Sequence, residues 1–348
     1  MRPKHILVIR LSAMGDVAMS VPVLRAFIEQ NPSVKITVLS RGFFKPMFDN
    51  LNNVNFYEAD VNGKHKGLIG LFKLYNEIKQ LKIDAIADIH NVLRSKLLRL
   101  FFLPSQIKIS VIDKGRAEKK ALTRNVNKVF KQLKTTHQRY ADVFRNLGLK
   151  VDISSPTFPI KPDLSSELLK IISSDHFKWI GIAPFAQYQS KMYPLDLIED
   201  VISKLVSLNQ FNLFLLGGGA KEIKILNSLA AKFDNVISVA GKLNLSDEII
   251  LISNLDCMVS MDSANSHLAA MQGVKTITVW GITHPFAGFA PFNQPKDRIL
   301  LPDLDKYPNI PCSVYGNKVC VGYENVMRSI LPNKVVEKII NTIENRPL

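Results

Sequence analysis

The sequence predicts an α/β protein made of two doubly wound, Rossmann-like domains facing each other across a cleft. Three observations predict it. Short apolar runs alternate with amphipathic stretches, the pattern of a parallel sheet whose strands are joined by right-handed helical crossovers. The alternation breaks at 151–163 (VDISSPTFPIKPD), where three prolines and two serines interrupt it, and then restarts. The 348 residues also exceed what one hydrophobic core usually serves. The expected division is therefore a first domain at 1–160, a second at 170–330, and a last segment, 331–348, free to return to the first.

The elements follow in order. HILVIRL (5–11) carries a continuous apolar, β-branched run, as a strand covered on both faces should. The opening is basic and then apolar like a leader, but Arg10 and Asp16 break the apolar run, so it reads as a buried first strand. A turn at Gly15 leads to a helix over 17–30, ending at Asn31-Pro32. Strands are expected at 34–40, 53–60 and 84–90. Between the last two, 67–81 carries apolar residues at 68, 71, 72, 75 and 78, a helical period. A basic amphipathic stretch follows at 93–102. After the break come strands at 178–184, 211–218, 236–241, 255–262 and 275–281. Helices at 196–208, 221–233, 246–254 and 267–272 separate them, and a final helix is expected over 335–345.

Composition excludes several classes. With 47% hydrophobic and 22% charged residues the chain is ordinary globular material, and no run is long enough to span a bilayer. No CxxC or Cys/His metal spacing occurs, and Cys257, Cys312 and Cys320 are not expected to form a disulfide framework, which points to a reducing, cytoplasmic setting. Net charge is +15 and lies in one half: residues 1–170 hold 29 Lys and Arg against 14 Asp and Glu, whereas 171–348 hold 16 of each. Eight bases fall between Lys114 and Lys134, with Glu118 the single acid. For one lysine a solvated surface is the ordinary explanation, but an imbalance on this scale implies an anionic partner.

Four segments at strand ends are candidates for chemistry. In Ser12-Ala13-Met14-Gly15-Asp16, an acid stands where a helix N-terminus favours anions, although a capping aspartate would look the same. Ser190-Lys191 lies after the strand that opens the second half, where a lysine can act as a point charge on phosphate or remain an exposed loop residue. Gly217-Gly218-Gly219 allows close backbone approach and equally suits a tight turn. Asp262-Ser263-Ala264-Asn265-Ser266-His267 runs from a buried strand into a helix, and its amides, hydroxyls and imidazole suit a diphosphate. Each of its residues alone has an ordinary structural use; their clustering favours the site. GITHP (281–285) adds a wall after the next strand. No dinucleotide fingerprint or P-loop occurs, and Asp303-Leu304-Asp305 sits in a proline-flanked stretch that reads as a solvated turn. Cys312 and Cys320 flank a turn at Tyr315-Gly316-Asn317 and read as loop packing rather than zinc ligands.

Taken in order, these motifs resemble the ADP-heptose–lipopolysaccharide heptosyltransferases of glycosyltransferase family 9. ILVIRLSAMGDVAMSVPVLRAF, DAIADIHNVLRSKL, SKMYP, LLGGG, AGKLNLSDEIILISNLDCMVSMDSANSHLAA and TVWGITHP carry the resemblance over nearly the whole chain. It implies the GT-B fold, inversion at the anomeric carbon, and no essential metal or other cofactor. Asp16 is then the general base, and Ser12, Gly15, Arg116 and Lys120 would serve the acceptor. Ser190, Lys191, Gly217, Gly218, Asp262, Ser263, Ala264 and His267 would hold the nucleotide-sugar donor. Two departures stand out: Ala264 replaces the family's usual glycine, and Val326 replaces a late cysteine before Met-Arg-Ser-Ile. The implied partners are an ADP-sugar and an anionic lipopolysaccharide core met at the inner membrane face, with no nucleic acid. A transferase or epimerase for another nucleotide sugar is the first rival reading, and a non-enzymatic polyanion- or membrane-binding protein the second.

Overall fold

The computed structural model describes residues 2–172 and 177–345. Contacts divide the chain into two units: Met1–Lys114 with Thr136–Phe158, and Gly115–Thr135 with Pro159–Leu348.

In the first unit, β1 (His5–Ile9), α1 (Met14–Gln30), β2 (Lys35–Ser40) and β3 (Val54–Glu58) are followed by α2 (Gly67–Lys79), β4 (Ala85–Asp88), α3 (Leu93–Phe102) and β5 (Lys108–Val111). Helix α4 (Arg116–Leu122) belongs to the second unit, and α5 (Thr136–Asn146) returns to the first. The five strands are parallel in the order β3-β2-β1-β4-β5. Every residue of β1 is buried, as its unbroken apolar run requires of a central strand. On one face Leu7, Ile9 and Ile86 meet Leu71, Leu74 and Ile78 of α2 and Leu98 and Phe102 of α3. Elsewhere α5 packs on α1, with the rings of Phe27 and Phe144 4.7 Å apart. Strand order reverses between β1 and β4, so the loops after these two strands open at the switch point, where doubly wound sheets place their ligands.

The second unit repeats the plan. After α6 (Ser166–Leu169) come β6 (Lys178–Ala183), α7 (Leu195–Ser207), β7 (Phe211–Leu215), α8 (Ala220–Ala230), β8 (Val236–Ser238) and α9 (Leu245–Asn254). β9 (Cys257–Met261), α10 (Ala264–Met271), β10 (Thr276–Val279), β11 (Ile299–Leu300) and α11 (Pro332–Ile343) complete it. The parallel order is β11-β10-β9-β6-β7-β8, and its reversal falls between β6 and β9.

The structure differs from the sequence reading at several points. Gly15 does not make the first turn: α1 starts at Met14, so Gly15 is its second residue, and Leu11–Ala13 carry the change of direction. Residues 1–160 are not one unit. The basic excursion 115–135 belongs to the second, where Leu122 and Leu133 pack with Ala287 and the Leu133 amide donates to the Phe286 carbonyl at 2.9 Å. The Lys119 ammonium lies 4.0 Å from the centre of the Phe289 ring, and Lys128 donates to the Asn309 carbonyl at 2.6 Å. The final segment stays with the second unit, where α11 packs on α7 and β9 and buries Val335 and Ile339. Cys312 and Cys320 are joined in a disulfide. The turn between them, with Gly316 at φ 87°, brings their Cα atoms to 5.8 Å, within bridging range. With that pair formed, cysteine usage no longer points to a reducing compartment.

One half-buried acid in α9, Glu248, sets a pH dependence. Burial pushes the Glu248 carboxyl up from 4.5 to about 7. A raised carboxyl favours the protonated folded form, so its contribution is present below about pH 4.5 and is lost as pH rises through 7. Glu248→Gln should flatten thermal stability between pH 5 and 8, the wild type losing up to about 3 kcal/mol more over that window. Melting curves across it measure the difference, and parallel curves for the two proteins would refute the assignment.

Candidate active site

In the first unit, polar groups gather at the switch point. Asp16 occupies the third position of α1 and accepts from the Ala13 amide at 3.4 Å, the backward half of a helix cap. The same carboxylate meets the Arg10 guanidinium at 2.5 Å, and its side chain is 32% exposed against 7% for Arg10. Arg10 in turn donates to the Ile89 carbonyl at 2.9 Å, and its guanidinium lies near the Tyr140 ring. The Tyr140 hydroxyl donates to the backbone carbonyl of Asp16 at 3.2 Å. Capping and reactivity are thus not alternatives here, since the cap and the ion pair fix a carboxylate that still reaches solvent.

Beside it stand residues that sequence reasoning passed over. Asp88 ends β4 fully buried, accepting from the amides of His90 (2.9 Å) and Asn91 (2.7 Å) and pairing with Arg99 at 2.9 Å. That network shapes the loop and presents His90, whose Nδ1 accepts from the Leu11 amide at 3.4 Å. Burial, with Arg10 and Lys114 nearby, pushes the His90 imidazole down to about 3, so it is neutral at physiological pH. The signal is present in DAIADIH, where Asp88 and His90 fall at the carboxyl end of a buried strand.

In the second unit, Lys191 and Asp262, distant in sequence, meet in an ion pair at 2.9 Å with side chains 13% and 7% exposed. Asp262 also accepts from the Thr283 hydroxyl at 3.0 Å, so the GITHP segment does border this site. Helix α10 begins at Ala264, three residues before the expected start at His267, because Ser263 is still extended. No side chain caps it; the Ser263 hydroxyl pairs with Ser260 at 3.1 Å, and Ser266 donates to the Ser263 carbonyl. The first turn of α10 thus takes no side-chain cap, with Ala264 and Asn265 half-buried and Ser266 buried. His267 is buried in the second turn.

The disulfide-closed loop supports this site. Ser190 donates through its hydroxyl to the Gly316 carbonyl at 2.6 Å, and a Cβ on Gly316 would stand 2.5 Å from Lys191 Cδ. Gly281 is equally tight, 2.3 Å from the Ser190 carbonyl oxygen. Gly316→Ala should therefore push Lys191 aside and raise donor KM about tenfold with a smaller change in kcat. Steady-state kinetics over donor concentration checks this, and an unchanged KM would rule it out.

Other expected residues fall elsewhere. Gly217 and Gly218 precede α8, but the Gly218 amide is already bonded to the Glu222 carboxylate at 2.9 Å, so the run acts locally as a turn. Ser12 and Gly15 flank Asp16 in the first unit, whereas Arg116 and Lys120, exposed on α4, belong to the second. The carboxylate of Asp303 accepts from the amides of Asp305 and Lys306, as a solvated turn requires. Among the described residues no group of three His, Cys, Asp or Glu is placed to hold a metal ion.

Two Rossmann-like units, with an oriented acid at the switch point of one and a lysine beside an uncapped helix N-terminus at the switch point of the other, define a glycosyltransferase of the GT-B class. The family model described as glycosyltransferase family 9 (heptosyltransferase) matches residues 71–317, and the chain belongs to that family. It is 23% identical over 304 residues to the lipopolysaccharide core heptosyltransferase OpsX of Haemophilus influenzae, covering 84% of this chain and 83% of that one. Among solved structures, a family 9 glycosyl transferase from Veillonella parvula superposes with a TM-score of 0.76 at 17% identity, covering 98% of both chains. The E. coli ADP-heptose lps heptosyltransferase II superposes with a TM-score of 0.69 at 19% identity, covering 98% of this chain and 99% of the other.

Proposed function

We propose that this chain transfers heptose from an ADP-linked donor to the anionic core of lipopolysaccharide, inverting the anomeric centre, with Asp16 as general base. The observation that carries the reading is the Asp16 carboxylate, partly exposed yet held by Arg10 and the Ala13 amide at the switch point of a family 9 fold. Asp16 takes the proton as the acceptor oxygen attacks the anomeric carbon from the face opposite the leaving ADP. Charge growing on the diphosphate is met by the Lys191 ammonium and the amides of Ala264, Asn265 and Ser266. Lys191 uses one of its three N–H donors on Asp262, which leaves two for phosphate oxygens. Asp262 then contacts the donor sugar. A methyl group at Ala264 leaves its amide free, so the loss of glycine there does not remove the anion site. No metal is required, because the lysine and the helix amides supply the positive field. The work is done at the cytoplasmic face of the inner membrane.

The likeness to the Haemophilus influenzae lipopolysaccharide core heptosyltransferase and to the E. coli ADP-heptose heptosyltransferase supports these substrates. Mass spectrometry of products from ADP-, GDP- and UDP-sugars with purified lipopolysaccharide core fragments tests it. ADP-heptose should give the product; if it performs no better than the others, the heptosyl assignment fails and another nucleotide sugar is the donor.

A further inference from the structure

Large apolar side chains are exposed together on the outer side of the helical layer formed by α2 and α3. Leu68, Ile69 and Phe72 on α2 are 61%, 87% and 50% exposed, and Leu93, Leu100 and, just past the end of α3, Leu103 are 73%, 56% and 60% exposed. The two helices pack side by side, with Phe72 edge-on to Phe101 at 5.5 Å. Their opposite faces hold Leu71, Leu74, Ile78, Leu98 and Phe102 in the core, so these helices are apolar on two sides. That is more than packing on one sheet requires, and an exposed apolar patch of this kind marks an interaction surface.

Charge decides the partner. Lys66, Lys73 and Lys96 are exposed and Arg94 is half-buried along the same two helices. Between residues 64 and 106 there are three acids, and each is engaged inside the unit. Glu77 is bonded to Lys64, His65 and Tyr57, Asp84 accepts from the amides of Lys4 and His5, and buried Asp88 is paired with Arg99. The outer layer is thus apolar with a basic border, the surface that lies in the headgroup region of an anionic bilayer. The N-terminal ends of α2 and α3 follow the carboxyl ends of β3 and β4, the sheet edge that carries Asp16 and His90.

We infer that the outer face of α2 and α3 docks this protein on an anionic phospholipid surface, presenting the Asp16 edge of the first unit to an acceptor anchored in that membrane. The docking surface rests on the proposed acceptor for its purpose, but its physical basis is independent of the sugar transferred.

Flotation of the full-length protein with vesicles tests it. The protein should float with vesicles of equal parts phosphatidylglycerol and phosphatidylcholine and not with pure phosphatidylcholine, and added salt should weaken binding. Ile69→Asp with Leu100→Asp should lower the partition coefficient at least about tenfold. Both positions are exposed, so transfer to a water-soluble core fragment should be unchanged. Val321→Asp, at a position 97% exposed in the second unit, should leave flotation intact. Failure of the wild type to float, or equal flotation of the double variant, overturns the inference. So does a wild type that self-associates in sedimentation while the double variant does not, since the face is then an interface between copies. Flotation that depends on Ile69 and Leu100 in a protein that transfers no heptose would refute the proposed function and leave the docking surface standing.

Discussion

Asp16→Asn should lower kcat by about 10²- to 10⁴-fold and leave donor KM within about twofold, the loss expected when a positioned base can no longer take a proton. Asparagine keeps the size of the side chain and an oxygen that can accept from Arg10 and the Ala13 amide, so folding should be preserved. The variant therefore separates proton transfer from helix capping, which removal to alanine would confound. Arg10→Lys should give a milder defect, because a lysine retains charge but cannot hold both the Asp16 carboxylate and the Ile89 carbonyl in one plane. Single-turnover rates with ADP-heptose and a core fragment would measure both. An Asp16→Asn enzyme within about threefold of wild type would end the case for this base.

Lys191→Met should damage both stability and donor binding, and the two losses can be separated. Both members of its pair with Asp262 are nearly buried, so removing the lysine leaves a carboxylate that keeps the Thr283 hydroxyl but no cation to balance it among the described residues. Breaking a buried pair from one side costs about 3–5 kcal/mol. In Lys191→Met/Asp262→Asn the stranded charge is gone, and most of that stability should return. Donor affinity should not return, because the cation proposed to meet the phosphates is still missing and the proposed sugar contact of Asp262 is altered as well. Denaturation midpoints read the first effect and calorimetric titration with ADP-heptose the second. A single variant that binds donor as tightly as wild type would remove Lys191 from the donor site.

The strands and helices on the central path of each unit were legible because each repeats a period that burial enforces. β1 and β9 are wholly buried because they lie at the middle of their sheets, while α2 and α7 keep one buried stripe. The elements that escaped notice have weak periods. β5 has four residues, only one of them buried, and α5 hides Tyr140, Val143 and Phe144 in a polar run adjoining the basic segment. The site was legible residue by residue but not as an arrangement. The sequence marks Lys191 and Asp262 each as a ligand-facing residue, and nothing in their spacing says that they face each other. Likewise Arg10 looked only like a charge interrupting a strand, although it orients Asp16. The basic run 114–134 misled most. Its charge was legible, but its location depends on Leu122 and Leu133 finding Ala287 far along the chain.

That crossing of 115–135 into the second unit bears on how the molecule is made. Leu133 leaves the ribosome well before Phe286, whose carbonyl receives its amide. At bacterial elongation rates the delay is on the order of ten seconds. For that interval Leu122 and Leu133 have no permanent home, in the most cationic stretch of the chain. The nascent N-terminal half thus waits with an open loop that only the C-terminal half can close. Splitting the gene at 158 would accordingly yield a first fragment with a dangling, sticky arm and a second one missing a piece of its own interior, and a break within 115–135 would instead part α5 from the α1 helix it packs on.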